Sequence, residues 1–211
     1  MASPSHYSVF DYWKDKRITR YGTVVPFTTQ SRMVDDSVDV VGDWGEPECW
    51  CCGEWVDLCK IPEYNTMLSN GNTKKIWQSK EVASKLQRCH IVPKSLGGTY
   101  SPSNMFLMCE RCHRESPDHL SQKYFLQFVY ATRKHGRIIK GYREEELMRL
   151  LSVYDVDDKI VSLMGDKKET LEEMSANDDN MGIHIGKIPL SSVLALAVDA
   201  VKNGKRYQAT L

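Results

Sequence analysis

Seven cysteines and a group made of His90, Asn104 and His113 are the side chains in this chain best suited to chemistry. The stretches Cys49-Trp50-Cys51-Cys52 and Cys109-Glu110-Arg111-Cys112 each set two thiols three positions apart. At that spacing both sulfurs of a turn can reach one tetrahedral Zn²⁺ at about 2.3 Å, and two turns complete the shell. Cys49, Cys52, Cys109 and Cys112 are therefore the expected ligands of a structural zinc ion. Gly53 follows the first pair, where the backbone must bend sharply. A disulfide framework fits less well, because the cysteine number is odd and MASPSHYSVFDYWKDKR has no apolar secretion-signal core. A reducing, cytoplasmic setting is the expectation. A redox role suits a single Cys-x-x-Cys better than two pairs flanking one segment. Fifty-six residues separate Cys52 from Cys109, so an insertion lies between the two turns. Cys51 would break the ligand spacing, and Cys59, without a partner, is expected to be a small buried or half-buried hydrophobe.

Elements that would position the remaining groups follow from local sequence. Residues 86–92 (LQRCHIV) favour an extended strand that ends before Pro93, which disfavours helix in the residue ahead of it. Gly97-Gly98 supplies a turn. Asn104 precedes the apolar run MFLMC, a second short strand, and ERCHRE opens a helix with Glu110 at its positive end. Two strands and a helix would thus bring His90, Asn104 and His113 within reach of one another. Asn104, after Ser-Pro-Ser, has the alternative of capping a turn.

The ordered set His90, Ile91, Pro93, Gly97, Gly98, Asn104, Cys109, Cys112 and His113, completed by Cys49 and Cys52, resembles the HNH endonucleases. The resemblance spans roughly residues 48–118. It implies an α+β fold: a ββα-metal (His-Me finger) core stapled by a four-cysteine zinc site, with a mixed N-terminal segment and C-terminal helices. It further implies that His90 is a general base that activates water, a task suited to a neutral imidazole with a pKa near working pH. Asn104 would orient that ring through its side-chain carbonyl. His113 would hold a catalytic divalent cation (Mg²⁺, Mn²⁺ or a softer ion) that grips the scissile phosphate. One position departs from the pattern. The residue ahead of the base is commonly Asp or His and supplies another ligand, whereas here it is Cys89, a soft ligand ill-suited to Mg²⁺. Cys89 ligates a softer ion, or another oxygen replaces it (Glu110, Glu115 and Asp118 are nearby), or activity is lost.

Composition sets the frame. The 211 residues have a formal net charge of zero, and no apolar run approaches the length needed to span a membrane. Residues 1–48 carry five basic and eight acidic side chains, residues 49–118 nine and seven, and residues 119–211 fourteen and thirteen. Within the last group, Arg133, Lys134, Arg137, Lys140 and Arg143 form a run without an acidic residue, a candidate for phosphate contact together with Lys94 and Arg114. An ordinary solvated helix end is the competing explanation. Three segments are expected: 1–47, holding a short helix and some strands; the 48–118 core with an insertion at 54–85; and a mainly helical 119–211 for DNA contact, dimerisation or core completion. Apolar spacing predicts helices over 79–86, 120–134, 143–154, 157–174 and 191–202, with a loop at 175–188.

The activity implied is metal-dependent hydrolysis of DNA phosphodiester bonds, with a restriction, homing, phage-associated or loosely specific nicking role. A double-strand cut at a symmetric site would need two copies, hence a homodimer. The alternative is a catalytically silent zinc module that binds nucleic acid or a protein.

Overall fold

The computed structural model describes residues 3–28, 36–42, 45–59, 61, 64–135, 143–154 and 189–203. Its fold mixes helices with two small sheets. The N-terminal segment gives α1 (His6–Trp13), capped by the Ser5 hydroxyl on the Ser8 N–H, and then β1 (Lys16–Thr19), β2 (Val24–Pro26) and β3 (Ser37–Asp39). These three strands form an antiparallel sheet in the order β2-β1-β3.

The inserted segment holds three short helices, α2 (Tyr64–Ser69), α3 (Thr73–Trp77) and α4 (Lys80–Lys85). Ser79 caps α4, its hydroxyl accepting from the Val82 N–H at 3.3 Å, because a serine at that position satisfies an otherwise orphaned donor. β4 (Gln87–His90) and β5 (Met105–Met108) pair antiparallel with Cys89 opposite Phe106 and His90 opposite Met105. α5 (Glu110–Glu115) follows at once, completing a strand–strand–helix unit. The C-terminal region adds α6 (Gln122–His135), α7 (Arg143–Tyr154) and α8 (Leu190–Lys202). The helix expected over 157–174 and the loop at 175–188 lie outside the described residues.

What holds the ββα unit in place is aromatic packing around Phe106. Its ring meets Trp13, Trp50 and Phe125 edge-on, at centroid distances of 5.3, 5.2 and 5.5 Å. Such edge-to-face pairs contribute about 0.5–1.5 kcal/mol each beyond the area they bury. The Trp13 indole N–H also donates to the carbonyls of Met105 (2.8 Å) and Pro102 (3.1 Å), tying α1 to the start of β5. The three rings around Phe106 come from the N-terminal segment, the first cysteine turn and α6, so all three segments share one core. On α6 the expected face of Tyr124, Phe125, Phe128 and Val129 is buried. Leu120 is not on it: the helix starts two residues later, and Leu120 stays 47% exposed.

Candidate active site and metal centre

The four cysteine sulfurs at positions 49, 52, 109 and 112 converge, with all ligand atoms within 4.8 Å of one another. The first turn is closed by the Gly53 N–H donating to the Cys49 carbonyl at 2.7 Å, with Gly53 at φ +73°, the left-handed bend its lack of a Cβ allows. The Trp50 N–H donates to the Leu107 carbonyl at 3.0 Å, which docks this turn on the outer edge of β5. The second turn is the N-terminus of α5, with Cys109 at the cap position and Cys112 in the first turn. Cys52 Sγ and Cys109 Sγ are 4.0 Å apart. A tetrahedral Zn²⁺ with bonds of about 2.3 Å demands sulfur–sulfur edges of about 3.8 Å, so the cluster fits that ion. Crowded thiols share protons: the Cys112–Cys109 hydrogen bond pushes Cys112 well above the usual thiol range and Cys109 well below it. A divalent cation takes the place of those protons when it binds. Cys51 is buried beside the cluster but outside it, and Cys59 is exposed on the loop after it, not buried as the sequence suggested.

His90 ends β4 half-buried, its ring edge-on to Tyr100 at 5.2 Å. Nε2 of His90 is buried with no hydrogen-bond partner among the described residues. Burial first, and then the nearby Lys94 charge, hold its pKa below the usual histidine value, so the ring is neutral at pH 7. Leaving a buried polar atom unpaired costs about 1–3 kcal/mol, a cost that a hydrogen bond to Nε2 would relieve.

Asn104 does not reach the His90 ring. Its Oδ1 accepts from the Val92 N–H at 2.9 Å, while Nδ2 donates to the carbonyls of Val92 and Thr99, each at 3.0 Å. Its own carbonyl accepts from the Ile91 N–H at 2.9 Å. The expected side-chain bond to the base is thus replaced by a clamp on the two residues after it. The reason is geometric: the turn folds the Val92 peptide back against Asn104, so the amide meets backbone groups first. Gly98 makes this possible, because a Cβ there would sit 1.8 Å from the Val92 carbonyl oxygen and 2.9 Å from Asn104 Nδ2.

Cys89 is enclosed between β4 and the end of α5. Successive residues of a strand point to opposite faces, and Cys89 takes the inward direction, 1% exposed, with Ser116 Oγ at 3.5 Å. Desolvation pushes its thiol far above the usual range, so it stays protonated and apolar in character. Neither Glu110 nor Glu115 is poised as a substitute: Glu115 is held by Arg111 at 2.8 Å, and Glu110 lies 3.9 Å from Arg114. Asp118 is buried, and its backbone N–H donates to Ser192 on α8. The oxygen that does stand beside His113 belongs to Gln87, whose Oε1 is 2.6 Å from Nδ1. Sequence reasoning missed Gln87, although its place two residues before Cys89 puts it on the same face of β4.

The basic candidates divide. Lys94 is exposed, 5.2 Å over the Tyr100 ring. Arg114 and Lys134 are exposed at the surface. Arg133 is turned inward, its guanidinium paired with the buried Glu48 carboxylate and donating to the Cys49 carbonyl at 3.4 Å. That pairing removes Arg133 from any phosphate surface. Arg137 and Lys140 lie outside the described residues, and Arg143 opens α7.

Residues 78–128 match the HNH endonuclease family model. The match runs from the end of α3 through β4, β5 and α5 into α6, and so covers the whole strand–strand–helix unit with His90, Asn104 and His113. It supports the HNH endonuclease family and, with it, a nuclease whose substrate is nucleic acid. Comparison with curated proteins and with solved structures returns no match. Among the described residues no helix is long and apolar enough to cross a membrane.

Proposed function

We propose that this protein is an HNH endonuclease that hydrolyses DNA phosphodiester bonds with the help of a divalent cation. The observation that carries this reading is the unpartnered, buried Nε2 of a neutral His90, set at the end of β4 inside the segment that matches the family. A neutral imidazole there accepts the proton of an attacking water. The Asn104 clamp fixes the backbone at Ile91 and Val92, and with it the exit of the strand that bears the base. Four cysteines hold Zn²⁺ as a structural ion and pin the junction of β5 with α5. His113 holds the catalytic cation.

Gln87 is a positioning residue for His113 in this reading. When its carbonyl oxygen accepts the Nδ1–H of His113, the lone pair is left on Nε2, the nitrogen that faces a cation. With Cys89 buried as a thiol and the Gln87 oxygen engaged by Nδ1, the imidazole of His113 is the donor offered to the cation, and waters and phosphate oxygens would complete its shell. The cation, when bound, neutralises phosphate charge and stabilises the leaving oxygen. Gln87→Ala is expected to weaken Mn²⁺ affinity of the zinc-loaded protein by about 10–100-fold in calorimetric titration, and Gln87→Glu to recover it. Unchanged affinity in the alanine variant would remove Gln87 from this role.

The reaction itself is tested by incubating the zinc-loaded protein with supercoiled plasmid and Mg²⁺, Mn²⁺ or Ni²⁺. Conversion to the open circular form is expected with at least one of them. No conversion with any metal would leave a silent zinc module as the better description.

A further inference from the structure

The chain carries an unusual run of cations that the HNH match only partly covers. Between positions 74 and 94 lie Lys74, Lys75, Lys80, Lys85, Arg88 and Lys94, against the single acidic Glu81. All six basic side chains are exposed, and none makes an ion pair among the described residues. By contrast, Lys14, Arg17, Arg20, Arg111, Arg114 and Arg133 each have a carboxylate partner.

Contacts connect these cations in space rather than only in sequence. Lys74 Nζ lies 5.8 Å over the ring of Tyr7 on α1. Next to Tyr7 on that helix, His6 Nε2 bonds the Leu86 carbonyl at 2.8 Å, and just ahead of it the Pro4 carbonyl accepts from Arg88 at 2.7 Å. The start of α1 therefore bridges Lys74 to Arg88. Arg88 and His90 share one face of β4 by the two-residue period of a strand. Beyond the strand, the Lys94 charge acts directly on His90. Lys74, Arg88, His90 and Lys94 thus form a basic track with the candidate base near one end.

We infer that this track, from α3 across β4 to Lys94, is the surface that binds the phosphate backbone of duplex DNA and delivers it to His90. The inference rests on the endonuclease reading for the role of His90, while the charge geometry stands on its own. Unpaired, exposed lysines and arginines bind such a backbone without reading bases, by releasing its condensed counterions. Lys74 and Lys75 precede the family match, so this end of the track belongs to the inserted segment of this chain.

The test uses the full zinc-loaded chain and a short mixed-sequence duplex, followed by fluorescence anisotropy with no other divalent cation added. The triple variant Lys74→Glu, Lys75→Glu, Lys80→Glu touches none of the catalytic groups. It is expected to weaken binding at least tenfold and to flatten the log–log salt dependence by about 2–3, since each phosphate contact contributes about 0.9 to that slope. A milder triple with glutamine at the same positions should fall between it and the parent. A charge-matched triple at Lys14, Lys16 and Lys123 should bind within a few-fold of the parent. Equal loss in both glutamate triples, no loss in either, or tighter binding of a single strand than of the duplex would each overturn the inference. Plasmid nicking is scored separately, so a protein that binds DNA through the track but never nicks would strike the endonuclease reading and leave the track standing.

Discussion

His90→Ala should lower plasmid nicking by about 10²–10⁴-fold, the range that a positioned general base contributes, while DNA affinity and zinc content stay at parental levels. The argument is local. His90 is half-buried and its Nε2 has no hydrogen-bond partner among the described residues, so removing the ring deletes no fold-stabilising bond through that atom. Loss of rate without loss of binding is the signature of a group that acts in the transition state. The pH profile supplies a second readout. The base works when neutral, and burial followed by the Lys94 charge holds its pKa below the usual value. Activity in the parent should therefore rise through an acid limb lying below the ordinary histidine pKa of about 6.5 and be flat above it. Lys94→Gln removes a cation that disfavours imidazolium, so the limb should move to higher pH. An acid limb that does not move, or undiminished nicking by His90→Ala, would take the base assignment away.

Stripping zinc should unfold the core. Structural zinc in small domains binds with about 10–16 kcal/mol of apparent free energy at pH 7, comparable to or larger than the 5–15 kcal/mol that holds a typical domain together. Here the ion would pin the junction of β5 with α5: one turn is docked on β5 through Trp50, and the other is the first turn of α5. Trp50 also packs edge-on against Phe106, so loosening that turn opens the aromatic centre of the core. Cys109→Ser or an excess of chelator is expected to abolish the cooperative thermal transition followed by near-ultraviolet circular dichroism, with loss of one bound zinc per chain by elemental analysis. A Cys109→Ser protein that keeps its transition with no zinc bound would show that the cluster is not a structural metal site.

Much of the ββα unit was legible in the sequence because its signals are local. Ligand spacing found the four sulfurs, the apolar run ahead of Pro93 found β4, and Ser79 marked the start of α4. Helices over 143–154 and 191–202 follow from apolar period, and the structure has them at Arg143–Tyr154 and Leu190–Lys202. The candidate site was legible in its membership but not in its contacts. Whether the Asn104 amide meets an imidazole or a peptide depends on how tightly the turn folds back, and the space left by Gly98 decides that. Arg133 looks like a free cation in sequence because its partner, Glu48, lies 85 positions away. Cys89 is different, since the two-residue period of a strand already says that its side chain and that of His90 leave opposite faces of β4. Which of the two faces inward required knowing that α1, α5 and α6 crowd one side of the hairpin.

The Glu48–Arg133 pair and the track of lysines place this protein's charges in two regimes. The pair is nearly dry, with Glu48 3% exposed, and mobile ions screen such a pair only weakly. The track stands in water, where its attraction to phosphates fades steeply as salt is added. On that inference, rising ionic strength should detach nucleic acid from the surface well before it disturbs the ionic link between α6 and the first cysteine turn. A concentrated-salt wash should give a folded, nucleic-acid-free protein, and dilution alone should restore its grip.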